Sequence, residues 1–406
     1  MSRKFRKVLR DRIKYIYDTI RLNGPWAADI LQPRRRLLSV QTGLSSFGGE
    51  EIFRTKMPDV PFGTVADISA NSPDKNLVTP AYDAYLARLD NAVVHTGTSF
   101  VFGPNDEAIY DVIADVDYGY WVFIRYEPAM TARWDDIGLF QVDTPSQHIE
   151  QAFHLCGYLS EHFGHWICEY LPRLRHLERL PDWENVPILV NDDMPESHYE
   201  ALGLLTKNPL IHVSRGSTHL VERLYVAPTI NYIPPDYYPN HPVPIERQAV
   251  WSGEAMQFMR DRILPNTPPS QKPTTKIFLS RKNSTWARMT NETEVENTFA
   301  ELGFEIVQPE TLSFTEQVQC MQSADFIAGP SGSAFNLAMF ARPGTPILML
   351  AQGEPHNWGG WLGPMRQIGF DVKFLLSKSS STKRKLAPYD VDLSRIPDII
   401  AQMSNT

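Results

Sequence analysis

Two hydrophobic rhythms divide the chain. Between about Asn91 and Phe140, short β-rich runs at 92–96, 99–102 and 120–124 alternate with turn signals such as the Gly-Pro-Asn-Asp of 103–106, predicting strands and hairpins. From Glu161 the spacing turns helical through Leu180, then an apolar strand at 186–190, a helix over 195–205 and strands near 210–213 and 223–227 follow. Prolines crowd the stretch from Pro228 to Pro273, too densely for long elements, so a domain boundary is expected within 228–275.

The second half alternates strictly. Residues 276–280 predict a buried strand, and Asn291 with Glu294 predicts a capped helix that Gly303 ends in a left-handed turn. Residues 304–308 predict a second strand, and Ser313 with Glu316 a capping box for the next helix. A third strand (Asp325–Gly329) runs through a Pro-Ser-Gly-Ser turn into a helix from Ala334, and a fourth strand covers 345–350. Strands and helices joined by short connections specify a parallel sheet covered on both faces, a Rossmann-like α/β unit whose ligands bind at the carboxyl ends of its strands.

Composition narrows the class. The 406 residues exceed what one core usually serves, and 39 Lys+Arg against 47 Asp+Glu, a formal charge of -8, argues against a dedicated nucleic-acid binder. The charge is uneven: residues 1–40 hold eleven basic and three acidic residues. Apolar residues Phe5, Val8, Leu9, Ile13, Ile16 and Ile20 fall at helical steps among these cations. Such an amphipathic basic helix over residues 3–21 can lie on an anionic membrane surface or simply cover the protein. Three scattered cysteines, no long apolar run and a charged amino terminus fit a cytoplasmic chain, peripheral at the inner membrane face if the basic helix binds there.

Three constellations can carry chemistry. The strand delivering Ser331-Gly332-Ser333 onto a helix amino terminus can receive a phosphate on backbone N–H groups and hydroxyls, though it has neither the dinucleotide fingerprint nor the P-loop pattern. Arg281, Lys282 and Arg288 follow the end of the first strand of the same unit, on the rim where that turn lies. His165 and Glu169, four apart on one helical face with His162 three residues before, can be a general base and its orienting carboxylate, metal ligands, or a buried histidine satisfied by its neighbour. Motifs for zinc proteases, redox dithiols and serine hydrolases do not occur.

Taken in order, the H-F-G-H-W-I-C-E-Y-L-P-R helix, S-R-K, N-E, G-F-E-I, P-E-T-L-S-F-T-E-Q and G-P-S-G-S followed by P-G-T resemble glycosyltransferase family 61. That family includes bacterial capsular-polysaccharide transferases, plant xylosyl- and arabinosyltransferases and animal O-linked N-acetylglucosaminyltransferases. The likeness covers about Phe153 to Leu350. It implies a GT-B architecture, two Rossmann-like domains facing across a cleft, and an inverting, metal-independent transfer in cell-surface polysaccharide biosynthesis. The donor would be a nucleotide sugar, usually uridine diphosphate-linked, with no further cofactor. The acceptor would be a saccharide or lipid-linked glycan.

By position, His165 and Glu169 would be the catalytic base pair. Arg281, Lys282, Arg288, Glu310, Ser331, Gly332, Ser333 and Asn336 would bind the donor. The corresponding organisation is a basic segment 1–40, an acceptor-side α/β domain 41–235, a proline-rich linker 236–275, a nucleotide-sugar domain 276–376 and a tail with a final helix 377–406. The family commonly has histidine where this chain has Ser331, a group that can donate a hydrogen bond but carry no protonic charge. Two other readings stay open: a non-catalytic nucleotide-sugar or glycan binder of the same fold, and a metal-dependent hydrolase using His162, His165 and Glu169.

Overall fold

The computed structural model describes residues 34–70, 77–79, 83–109, 129–134, 137–231, 250–270, 275–284, 287–353, 358–377 and 388–404. The basic helix expected over 3–21, the β-rich run at 120–124 and residues 232–249 and 271–274 of the proline-rich stretch lie outside them. The described residues form a mixed α/β protein, as the two rhythms predict, with two large sheets.

The sheet of the second half is wholly parallel. Its five described strands lie in the order Phe304–Val307, Thr275–Leu279, Ala324–Pro330, Ile347–Gln352, Val372–Ser377. Alternate residues feed opposite faces, as a strand period of two requires. Ile277 and Leu279 join one buried cluster, while Phe278 joins another with Phe326 and Leu348. Helices Glu292–Glu301 and Ile396–Ser404 cover the second face through Val295, Phe299, Ile396 and Ile400. Helix Phe314–Ser323 and the 3₁₀ helix Ser333–Phe340 cover the first through Phe314, Val318, Phe335 and Phe340. The fifth strand, Val372–Ser377, goes beyond the four expected from the pattern.

This strand order reverses between Thr275–Leu279 and Ala324–Pro330, since the second strand in sequence lies on one side of the first and the third on the other. Ligands of open parallel sheets bind in the crevice at that reversal. The two chains approach closely there: Gly329 has φ 155°, and a Cβ on it would meet the Leu279 carbonyl oxygen at 2.6 Å. A side chain is excluded by both backbone conformation and space.

The sheet of the first half has eleven described strands and is mixed. Leu210–Val213, Ile188–Asn191, Gln147–His154 and Thr218–Val226 run parallel, so Rossmann-like character is confined to this end. Beyond it Thr218–Val226 pairs antiparallel with the long strand Asp83–His95, and the hairpins expected before Phe140 continue the sheet.

The two halves share a core. One buried cluster runs from Leu86, Phe153 and Ile188 of the mixed sheet through Trp166, Leu171 and Met259 to Phe314, Phe335 and Ile327 of the parallel one. Polar ties reinforce it. Glu200, on the helix Glu196–Leu205, accepts the N–H groups of Phe314 and Thr315 at 2.6 and 3.0 Å. It thus serves the amino terminus of a helix in the other half, beside the expected capping box of Ser313 and Glu316, which forms. A segment of the first half also reaches the edge strand Val372–Ser377: Asp67 accepts from Leu376 N–H at 2.8 Å and pairs with Arg395 at 2.5 Å. Burial would raise the Asp67 pKa, but hydrogen bonds from Arg395 and Ser69 win and hold it at about 2.

Candidate active site

The helix expected from Glu161 to Leu180 is not regular. Phe163–His165 is α-helical, Trp166–Tyr170 is one π turn, Leu171–Arg173 is 3₁₀ and Leu174–Leu177 is α-helical again. Pro172 supplies the reason: it has no N–H to give to the Cys168 carbonyl four residues back. That carbonyl accepts from Asn231 Nδ2 at 2.7 Å instead. Single π turns of this kind commonly sit at functional positions. Here the distorted turn carries Glu169.

His165 Nδ1 lies 2.7 Å from Glu169 Oε2, and both side chains are buried. The carboxylate accepts the Nδ1 proton, so Nε2 is the nitrogen left to act as a base. The His162 ring stands edge-on to His165 with 5.1 Å between centroids. Burial, with the positive fields of His165 and Arg281, pulls its pKa down to about 4, so it is neutral at physiological pH. Trp166 anchors the turn by donating to the His198 carbonyl at 3.0 Å.

This turn packs directly on the other half. A Cβ built on Gly164 would lie 3.0 Å from Ser333 Cβ and 3.5 Å from Asn336 Nδ2. The glycine between the two histidines is therefore what lets the His165 turn approach the helix that begins at Ser333.

Across this contact lies the switch point of the parallel sheet. The Arg281 guanidinium donates to the Ser331 carbonyl, and a Cβ on Gly332 would collide with it. Gly332 is fully extended, with φ 171°, so its lack of a side chain serves space rather than a special backbone shape. The Arg281 N–H donates to Glu292 Oε1 at 2.6 Å, and burial raises the Glu292 pKa. Burial lowers the Arg281 pKa, against the fields of Tyr389, Glu292 and Glu310. Burial and then the charge of Arg281 lower that of Arg288. Two desolvated guanidiniums therefore crowd one spot, and among the described residues Arg288 Nε has no hydrogen-bond partner. Such an arrangement favours an anion with several oxygens.

The remaining expected donor residues fall around this pair. Glu310 is exposed beyond the end of Phe304–Val307, within electrostatic reach of Arg281. Ser333 is half-buried at the helix start, and Asn336 is buried with no partner for Oδ1 among the described residues. Lys282 is exposed and its ammonium faces Glu296 on the flanking helix at 3.9 Å. Among the described residues no three His, Cys, Asp or Glu side chains are grouped as a metal ion would need.

Residues 163–348 match the family model of Glycosyltransferase 61. This stretch is a glycosyltransferase 61 region. It starts at the His165 turn and ends in the fourth strand of the parallel sheet, so it takes in both walls of the site and the sequence resemblance is borne out. No curated protein matches the chain. The match over this stretch points to glycosyltransferase activity, a class that uses a sugar donor and an acceptor. No described helix is long and apolar enough to cross a membrane.

Two residues of this site escaped the sequence reading. Glu292 was visible as the acid of the N-E pair, but its partner is the Arg281 backbone rather than a helix end. Asn291 does not cap the helix as expected: its side chain pairs with the backbone of Val391, at 2.8 and 3.0 Å. The second missed residue, Tyr389, sits beside Ser331 and comes from the carboxy-terminal tail, where no motif marked it.

Proposed function

We propose that the protein is an inverting glycosyltransferase that moves a sugar from a nucleoside diphosphate donor, a uridine diphosphate sugar in the first instance, to a hydroxyl of a saccharide or lipid-linked glycan. The observation that carries this reading is the close packing of the turn that holds the His165–Glu169 pair on the Ser333 helix start, with its His162 within electrostatic reach of the desolvated Arg281. In GT-B terms the mixed sheet is the acceptor wall and the parallel sheet the donor wall.

The chemistry is one displacement. His165 Nε2 takes the proton of the acceptor hydroxyl as its oxygen forms a bond to the anomeric carbon. The bond from that carbon to the diphosphate oxygen breaks on the opposite face, and its electron pair leaves with the nucleoside diphosphate. Glu169 stabilises the imidazolium that results. Arg281 and Arg288 meet the charge growing on the leaving group, the part a metal plays elsewhere, so the reading assigns no resident metal. The basic residues 3–21 would bring the enzyme to lipid-linked acceptors at an anionic, inner membrane face.

The test uses the full chain with a panel of nucleotide sugars and candidate acceptors. Donor-dependent thermal stabilisation and nucleotide release that needs an acceptor are expected. Absence of both across the panel sinks the proposal.

A further inference from the structure

Two polar side chains that the displacement does not use meet at the Gly164 contact, His162 from the first wall and Asn336 from the second. A Cβ placed on Gly164 would lie 3.5 Å from His162 Cε1 and 3.5 Å from Asn336 Nδ2, so both side chains border one small space. Neither is satisfied there. His162 Nδ1 and Asn336 Oδ1 are buried without a hydrogen-bond partner among the described residues, and Asn336 is only 2 % exposed. A buried polar group left unpaired costs stability, and two of them at one contact call for a shared partner. The turn also holds His162 in place against strain: its N–H donates to the Leu159 carbonyl at 2.9 Å, and Leu159 has φ 66°, a left-handed conformation that a bulky residue rarely takes.

The space lies between the two ends of the reaction. On one side Ser333, whose Cβ is 3.0 Å from that same Cβ position, follows Gly332, against which the Arg281 guanidinium lies. On the other side the His162 ring stands edge-on to His165. A donor with its diphosphate at Arg281, and its anomeric carbon in reach of an acceptor that His165 deprotonates, has its sugar ring between them. The pair suits a sugar better than a phosphate. Burial keeps His162 neutral, the Asn336 amide carries no charge, and each offers both a donor and an acceptor, as a sugar hydroxyl does.

We propose that His162 and Asn336, one from each wall, recognise the transferred sugar by hydrogen bonds to its hydroxyls and so determine which sugar is accepted. This rests on reading residues 281–333 as the donor wall and His165 as the base.

The full chain and its His162→Phe and Asn336→Leu variants are titrated with uridine diphosphate and with uridine diphosphate-linked glucose, galactose, xylose and N-acetylglucosamine. Both replacements keep the approximate shape of the side chain and remove its polar atoms. For the nucleotide sugar that the parent binds best, each variant is expected to weaken binding by about three- to tenfold, the scale of one ordinary hydrogen bond, and to leave uridine diphosphate at the parent affinity. The spread of affinities across the four sugars should narrow, and in turnover the ratio of kcat/KM between the best and the worst sugar should fall with it. Variants that bind every nucleotide sugar as the parent does overturn the proposal while the donor site stands. An equal loss for uridine diphosphate also overturns it, since the two residues then serve the diphosphate or the fold. A parent chain that binds neither uridine diphosphate nor any of the four nucleotide sugars overturns the donor reading itself and this inference with it. If Asn336→Leu does not fold, Asn336→Ser takes its place in the same comparison.

Discussion

The two walls of the site solve opposite electrostatic problems. On the mixed-sheet side, His165 and Glu169 bond to each other at 2.7 Å and are complete without a ligand. On the parallel-sheet side, Arg281 and Arg288 are both desolvated, and the charge of Arg281 further disfavours that of Arg288, whose Nε is unpartnered among the described residues. Burying cations without full pairing costs stability, and such a cost persists where a ligand repays it. On the proposed reading one wall moves a proton and the other receives an anion, and a substitution on one should leave the other's task intact.

The largest break is expected on the first wall. His165→Ala removes the ring nitrogen proposed as the base, and turnover should fall by about 10²- to 10⁴-fold, the usual worth of a general base. Uridine diphosphate affinity, measured by titration calorimetry, should stay at the parent value. Loss of nucleotide binding in step with turnover would mean that the walls are one unit and that the division of labour is wrong.

A smaller break is expected on the second wall. Arg281→Lys keeps the charge but loses the fork that serves the Ser331 carbonyl and, on the proposed reading, the anion. Uridine diphosphate affinity should drop by about ten- to a hundredfold, the range for hydrogen bonds to charged groups. At saturating donor, kcat should change less than KM. Parent-like affinity would remove Arg281 from the donor site.

The two walls also differ in how far sequence discloses them. The parallel sheet was legible because its strands are buried on both faces and joined by short helices, so local rhythm fixes its connections. The capping box at Ser313 was legible for the same reason, since Glu316 is three residues away. Asn291 misled because its true partner, Val391, lies 100 residues on, and Tyr389 was invisible for the same cause. On the other wall the His165–Glu169 pair could be read from helical spacing. The π turn could not, because it depends on Asn231 reaching the carbonyl that Pro172 leaves open. The pairing of Thr218–Val226 with Asp83–His95, which joins the parallel and antiparallel parts of the mixed sheet, has no local signature either.

The smallest effect tests whether the walls sense each other at all. His162 belongs to the first wall, yet Arg281 of the second adds to the burial and the His165 field that hold its pKa near 4. In Arg281→Gln the pKa of His162 should move up, because a positive neighbour has gone, and should stay below the ordinary value of about 6.5, because burial remains the larger cause. The sign carries into stability. With the folded pKa depressed, the unfolded chain holds the proton more tightly, so this histidine's contribution is complete above about pH 6.5 and is lost as pH falls toward 4. The variant should lose less on acidification than the parent. Titration of the His162 ring proton by NMR, assigned through a His162→Gln chain, measures the shift directly. An unmoved pKa would show that solvent or ions between the walls screen Arg281, and the site would then be two separate electrostatic environments joined only by packing at Gly164.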